Sequence, residues 1–413
     1  MCHMPSVKSV TIEVAVKAGP RYEYKENAGM AHFLEHMLFE GTKRFSSSKE
    51  LAIYLERVGG KSSAWTSKES VIYWVKVPSQ YLNLAFDYIS EILFKSLLVN
   101  EAIEKEKNIV LEELHKTVDN SERYIWDVWM EWVWGKNQTL GRSTIGYKKT
   151  IQSFTNDGLA HYLQSLYHPA NMVMSIVGNF SQSEAIRHAK KYFGGVPISK
   201  VKTRVDKMSF IPKDKPVQIV YRDTQQTQLI LGFVTGISYS HPDRFPLRVT
   251  TDILSTGVSS RLFHRLVYEL GLAYSAGAES WLFTDTGLFY VYGGFSPKKI
   301  TDAVKVIVDE IQKLKKETIV SDELKEAKEK DKASVLFSLE TSDGMADYLA
   351  TTELLENRVM TPQELENLID GVGREDIQRV ARKYFTRKLV SCTIIGPVGK
   401  TEVVKIERLL RLL

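Results

Sequence analysis

The chain has 413 residues, 43% hydrophobic and 25% charged, the composition of a soluble globular protein with room for two or more domains. Its net charge of +5 comes from 55 basic and 50 acidic residues interleaved along the chain, which gives no electrostatic case for nucleic acid. The two cysteines, Cys2 and Cys392, stand at opposite ends and form no disulfide framework or cysteine zinc site; no apolar run reaches the ~18 residues of a membrane helix, and nothing at Met1 reads as a signal peptide, so a cytoplasmic protein without a membrane segment is expected.

Val7–Val16 alternates β-branched and polar residues and predicts a strand, followed by a loop over Arg21–Lys25. In the next stretch Met30, Phe33, Leu34, Met37 and Leu38 recur at helical spacing, with Asn27 as the expected N-cap and Gly41 as the expected stop. His32 and His36 are four apart on that helix, so both imidazoles leave one face as a ready bidentate site for a divalent metal, most often zinc. Glu35 stands beside them, able to reach a metal-bound water without being a ligand, in the order His-x-x-Glu-His. The competing reading is a core helix with two satisfied histidines and a surface glutamate.

A helix over Lys49–Val58 ends at Gly59-Gly60, and Ser62–Val77 alternates as a strand or hairpin. Amphipathic helices follow over Leu82–Phe94 and over Glu101–Val118, the second with Asn100 as N-cap. On the second, Glu106 and Glu113 are seven apart and stand along one line bordering the apolar stripe of Ile103, Val110, Leu114 and Val118. A catalytic zinc site needs a third protein ligand and one open position, and Glu113 or Glu106 is the natural candidate; the alternative is a surface ion pair with Lys105, Lys107 or Lys116.

Ser121–Trp134 reads as a tryptophan-rich helix packed on the first domain, Thr139–Gly146 as a loop, Asn156–Tyr167 as a helix and Met172–Gly178 as a strand. Gly194–Pro216, rich in glycine, proline and lysine, reads as the linker between halves. The second half repeats the first: Glu375–Gly396 copies Asp157–Gly178 at an offset of 218 residues, with Leu159 matching Ile377 and Gly178 matching Gly396. Gln228–Gly236 and Pro246–Gly257 copy the strand and helix around the histidine motif, but Leu247–Gly257 contains no histidine or glutamate. The duplication keeps the scaffold and leaves the metal in one copy. The expected domains are 1–195 with the metal site, a linker over 196–216, and 217–413 without ligands.

Taken together, Gly29–Thr42, the segment from Gly59-Gly60 to Tyr73, Glu106 with Glu113, Leu140–Gly146 and Gly271-Leu272-Ala273-Tyr274-Ser275 resemble the pitrilysin-type zinc peptidases, in the branch that includes mitochondrial processing peptidase and its bacterial relatives. The resemblance implies an α+β fold of two homologous domains, each a mostly antiparallel sheet packed against helices, with two chains closing as a clamshell over an extended peptide. It implies one zinc per chain at His32, His36 and Glu113, with Glu35 as general base and Glu106 as the carboxylate behind a ligand. Substrate is expected along Ser63, Ala64 and Thr66, with Tyr274 at the reacting carbonyl. The implied activity is hydrolysis of extended or presequence-like peptides by a homodimer or a heterodimer with a homologous subunit. The alternative is a non-catalytic or partner-dependent subunit. Three departures stand out: the chain begins close to the family's second strand, so either the first sheet is expected to lack an edge or the start is mis-assigned; the family's asparagine before Ala64 is Ser63; and the arginine seven residues before Tyr274 is Val267. Arg265, about 200° around a helix from that position, is expected to point elsewhere, so the missing donor comes from a second chain or the homodimer works with Tyr274 alone.

Overall fold

The computed structural model describes residues 1–199 and 205–413. In chain order the elements of the first half are β1 (Cys2–His3), β2 (Ser9–Val16), α1 (Met30–Met37), α2 (Ser48–Glu56), β3 (Lys61–Thr66), β4 (Val71–Pro78), α3 (Leu82–Phe94), α4 (Asn100–Asp119), α5 (Ser121–Trp134), α6 (Lys148–Ser153), α7 (Asn156–Leu166), β5 (Met172–Gly178) and α8 (Gln182–Phe193). The second half continues with β6 (Val217–Val220), β7 (Thr227–Val234), α9 (Arg244–Ser255), α10 (Arg261–Phe263, running into a π-helix over His264–Glu269), β8 (Ala273–Leu282) and β9 (Gly287–Phe295). Then come α11 (Ile300–Lys316), α12 (Ser321–Leu339), α13 (Ser342–Glu356), α14 (Pro362–Asp370), α15 (Arg374–Tyr384), β10 (Val390–Ile395) and α16 (Lys400–Leu410).

The strands form two five-stranded sheets with the same order, β1-β5-β2-β4-β3 and β6-β10-β7-β9-β8. In each, the outer strand pairs parallel (β1 with β5, β6 with β10) and the remaining neighbours pair antiparallel. The internal repeat read in the sequence is therefore a repeat of whole sheets. The expectation that the first sheet lacks an edge is corrected: Cys2 and His3 pair with Val177 and Gly178.

In the first unit, alternate residues of β2 (Val10, Ile12, Val14 and Val16) form one core with Phe33, Leu34 and Met37 of α1, Phe86 and Ile89 of α3 and Leu159 of α7. An eight-residue helix is too short to persist alone in water. Burying Phe33, Leu34 and Met37 completely, at ~1.5–3 kcal/mol each, fixes α1 to the sheet. Its ends differ from expectation. The N-cap is Gly29, not Asn27, whose side chain instead accepts from the Tyr24 amide in the preceding turn; the helix ends at Leu38, before Gly41.

The other face of each sheet is covered by a helix from the opposite half of the sequence. Thr11, Glu13 and Ala15 of β2 look toward α13: Thr11 and Ser342 share a 2.9 Å hydrogen bond, the Ser175 hydroxyl donates to the Ala346 carbonyl, and Ala15 and Ile72 pack with Ala350 and Leu354. In the second unit that role falls to α5, which corrects its expected place on the first domain. Trp129 lies on Gly232, where a Cβ would stand 2.2 Å from the indole, and its Nε1 donates to Ser391 Oγ at 2.9 Å. Only glycine leaves room there for the ring.

The two compact units are accordingly not two contiguous halves. The first comprises residues 1–116, 142–206 and 337–359; the second comprises 117–141, 207–336 and 360–413. The expected division at 196–216 differs from this by the two exchanged helices. Part of the expected linker, residues 200–204, lies outside the described residues.

Candidate metal centre

The site is built at the start of α1. Gly29 has φ +94°, and a Cβ on it would stand 2.4 Å from the Ile145 carbonyl oxygen. Gly146 meets Ala28 with the same lack of space, so the helix start and the 140–146 loop lie backbone to backbone. The Glu23 carboxylate caps the helix from below: its oxygens accept from the Gly29 and Ala31 amides, each at 2.8 Å. A negative charge at a helix N-terminus is favoured by the exposed amides and the macrodipole. Burial nonetheless pushes Glu23 up to about 7, against the pull of those amides and of Lys68 and Arg142. Arg142 donates to the Glu23 carbonyl and Lys68 to the Arg142 carbonyl, each at 2.5 Å. Sequence reasoning passed over Glu23; its signal was an acid a few residues ahead of a helix start.

α4 runs beside α1 and brings both of its candidate acids to the histidines, with distinct parts. Glu106 Oε1 lies 2.7 Å from His36 Nδ1. Glu113 Oε2 lies 3.7 Å from His32 Nε2 and 3.8 Å from His36 Nε2. One ligand atom from each of His32, His36 and Glu113 falls within 4.8 Å of the others, and no other such group of three occurs among the described residues. Both histidine rings are partly shielded, at 4.7 Å between centroids. Of the two acids, Glu113 faces the two Nε2 atoms, while the Glu106 side chain, 4% exposed, engages the far nitrogen of His36. The alternative of surface ion pairs does not describe them, since Lys105 binds Glu40 and Lys107 binds Glu104.

Burial, with His36 second, lowers His32 to about 3, so the ring is neutral and its lone pair is available. His32 Nδ1 is buried without a hydrogen-bond partner. Burial would lower His36 too, but the hydrogen bond and charge of Glu106, with Glu35 and Glu113, leave it raised. Two imidazole nitrogens and one carboxylate oxygen are the donor set of a zinc site with an open position. The bond from His36 Nδ1 to a carboxylate fixes the ring and directs Nε2 outward, as metal-ligating histidines require.

Glu35 sits beside this set and is not part of it. The Thr66 hydroxyl donates to Glu35 Oε2 at 2.5 Å. Burial raises the Glu35 carboxyl, opposed by Thr66 and His36 and reinforced by Glu113. Thr66, expected to touch substrate, is bonded to that carboxylate. The buried Tyr73 and Tyr167 hydroxyls, 2.9 Å apart, lie near Glu35; no spacing or pattern in the sequence marks that pair. Glu35 and His36 open onto a cavity of about 760 Å³ whose walls include Phe39, Leu55, Ser63 and Ala64. It runs along β3, an outer strand that pairs with β4 alone among the described residues. Ala64 and Thr66 turn toward the helices, while Ser63 is exposed on the rim.

Tyr274 belongs to the second unit, on β8, where its side chain is 89% exposed. Val267 lies in the π-helix, partly buried. Arg265 is engaged with Glu310 at 2.7 Å and Glu269 at 3.8 Å, so it is not a substitute for the absent arginine.

Residues 1–147 match the family model described as Insulinase (Peptidase family M16), and residues 153–330 match Peptidase M16 inactive domain. The chain is 33% identical over 395 residues to an uncharacterized zinc protease, YmxG, of Bacillus subtilis, covering 96% of this chain and 95% of that protein. It is 31% identical over 413 residues to the mitochondrial-processing peptidase subunit beta of Lentinula edodes, covering 95% and 86%. Among solved structures, a protease from Helicobacter pylori superposes with a TM-score of 0.86 at 22% identity, covering 96% of both chains, a likeness of fold.

Proposed function

The chain belongs to peptidase family M16, and on that premise we propose that it is a zinc-dependent endopeptidase acting on extended peptides. The observation that carries this reading is the convergence of His32 Nε2, His36 Nε2 and Glu113 Oε2 beside a buried Glu35. Zinc held by those three residues would polarise the scissile carbonyl and bring the pKa of its water toward neutrality. Glu35, oriented by Thr66, takes the proton of the attacking water and later hands it to the leaving amine. Glu106 keeps the His36 ring in the tautomer that presents Nε2. The peptide adds as a strand to the open edge of β3, past Ser63 and Ala64, so backbone hydrogen bonds supply affinity and the adjoining cavity takes a side chain. By the resemblance, Tyr274 of an opposing chain would donate to the carbonyl oxygen as charge develops on it. No helix among the described residues is long and apolar enough to cross a membrane. Cys392 is buried, which pushes its thiol up to about 12.

A second reading keeps the zinc site and makes activity depend on a partner. It rests on Val267 and on the commitment of Arg265 to Glu310. In that reading two homologous chains close over the peptide and the other chain supplies the arginine–tyrosine pair; the relative's printed designation, a beta subunit, points the same way. Assay of the purified chain alone for zinc content and peptide hydrolysis tests both: one zinc with turnover supports the enzyme acting as a homodimer, one zinc without turnover supports dependence on a partner, and absence of zinc removes both.

A further inference from the structure

The first turn of α1 rests on a carboxylate that takes no part in the zinc chemistry. Glu23 lies in the loop ahead of the helix, 4% exposed, and its two oxygens accept from two amides, Oε2 from Gly29 and Oε1 from Ala31, each at 2.8 Å. Those amides begin the turn that carries His32. Lys68 and Arg142 face the same carboxylate, as does the buried Tyr162 of α7. Arg142 donates to the Glu23 carbonyl and Lys68 to the Arg142 carbonyl, which joins the Glu23 loop, the 140–146 loop and the turn over 67–70. That turn is held from a second side, where the Arg21 amide donates to the Lys68 carbonyl at 3.0 Å and Arg21 Nε lies 3.6 Å from Glu69 Oε1. Lys68 is two residues beyond Thr66, the last residue of β3, whose hydroxyl donates to Glu35.

One buried carboxylate thus stands between the helix that bears the histidines and the turn that follows Thr66. Its ionised form does not serve folding. Burial raises Glu23 to about 7 from an ordinary 4.5, so its contribution to stability is full below pH 4.5 and is lost as pH rises through about 7. A neutral acceptor would serve the same amides without that loss, and ionisable groups strained in this way cluster at functional sites. We propose that Glu23 is a positioning residue of the metal centre: its carboxylate, flanked by Lys68 and Arg142, holds the first turn of α1, and with it His32, in register with the Thr66 end of β3. The proposal rests on the peptidase reading where it concerns Glu35, and on the ligand set alone where it concerns zinc. A divalent cation on α1 favours the ionised carboxylate, so zinc affinity and the Glu23 proton are linked. Where Glu23 is protonated, the wild type loses part of its zinc affinity.

The test compares the full-length wild type with Glu23→Gln, which keeps the shape and stays neutral, between about pH 5.5 and 8.5. Zinc affinity is read by competition with a chelator, and Tm on the metal-free protein. Protonation of the histidines is common to both chains and cancels in the ratio. At about pH 8.5 the variant is expected to bind zinc about tenfold more weakly, and the deficit shrinks to under about twofold at about pH 5.5. Over the same range its Tm relative to wild type rises with pH, because the wild type alone loses the Glu23 proton. A residue that only holds the fold moves zinc affinity and Tm in the same direction; that result overturns the proposal, as does a zinc deficit independent of pH. Lys68→Met keeps the carboxylate and removes its cation, and is expected to move the pH profile of zinc affinity upward by about one unit; an unmoved profile overturns the proposal even where Glu23→Gln fails to fold. Hydrolysis at about pH 8.5 is read separately: zinc-saturated Glu23→Gln is expected to turn over peptide about tenfold more slowly at similar KM, and equal rates overturn the register with Thr66. A wild type that shows the zinc linkage and hydrolyses nothing removes the peptidase reading alone, and one that takes no zinc removes both.

Discussion

Glu106 Oε1 lies 2.7 Å from His36 Nδ1, on the side of the ring opposite the nitrogen that faces Glu113. This relationship separates two acids that share one helix and one line. Removing Glu106 leaves the three candidate donors intact but frees the ring to turn. Glu106→Gln is expected to weaken zinc binding by about 10–100-fold, measured by competition with a chelator. His32→Ala or Glu113→Ala is expected to abolish stoichiometric zinc outright. Equal zinc affinity in Glu106→Gln and wild type contradicts the role of Glu106; stoichiometric zinc in His32→Ala contradicts the ligand set.

The start of the metal helix depends on a glycine at 29. Alanine there meets both the positive φ of +94° and the Ile145 carbonyl oxygen. Gly29→Ala is expected to cost about 1–3 kcal/mol and to lower Tm. Denaturant unfolding reads it directly, and an unchanged midpoint counts against the backbone contact.

The face of the first sheet beneath α13 buries a pair of acids. Burial, followed by the charge and hydrogen bond of Asp347, raises Glu13 to about 9 from its ordinary value of 4.5, and burial raises Asp347 as well. Asp343 adds a further negative charge nearby and is itself paired with Lys76 at 2.7 Å. Because the folded state binds the Glu13 proton more tightly than the unfolded chain, its contribution is full below pH 4.5 and is lost as pH rises toward about 9. The two acids titrate as a pair. Glu13→Gln mimics the protonated carboxyl, so the variant's Tm relative to wild type is expected to rise steadily over that range. A constant difference in Tm across it contradicts the shared proton.

Val267 is the position where the resemblance predicts an arginine. Loss of one oxyanion donor costs about 2.7–4 kcal/mol, or 10²–10³ in rate. Val267→Arg in the isolated chain is expected to raise kcat, with Tyr274→Phe cancelling the gain if the two act on one carbonyl. A fast wild-type chain that Val267→Arg leaves unchanged removes the missing-donor account.

Much of this was legible in the sequence because it is local. Helical spacing put His32 and His36 on one face, alternation marked the β3–β4 hairpin, and α3 spans Leu82–Phe94 as read. What escaped was long-range. The amphipathic pattern of α5 shows that one side is buried but not against which sheet, and the deciding fit of Trp129 onto Gly232 joins residues about a hundred apart. Asn27 is a good capping residue by type, yet the cap went to Gly29 because the backbone of Ile145 and Gly146 comes too close for a side chain. The short edge strand Cys2–His3 carries too few residues to show any alternation. Choosing between Glu106 and Glu113 needed the direction of each imidazole nitrogen, which spacing does not encode.

The most direct test of the central claim is turnover of an internally quenched extended peptide by zinc-loaded wild-type protein and by zinc-loaded Glu35→Gln, in the same oligomeric state. On the proposal that Glu35 carries the proton, the variant is expected to keep its zinc and hydrolyse about 10²–10⁴-fold more slowly. Equal rates in the two zinc-loaded proteins would contradict it.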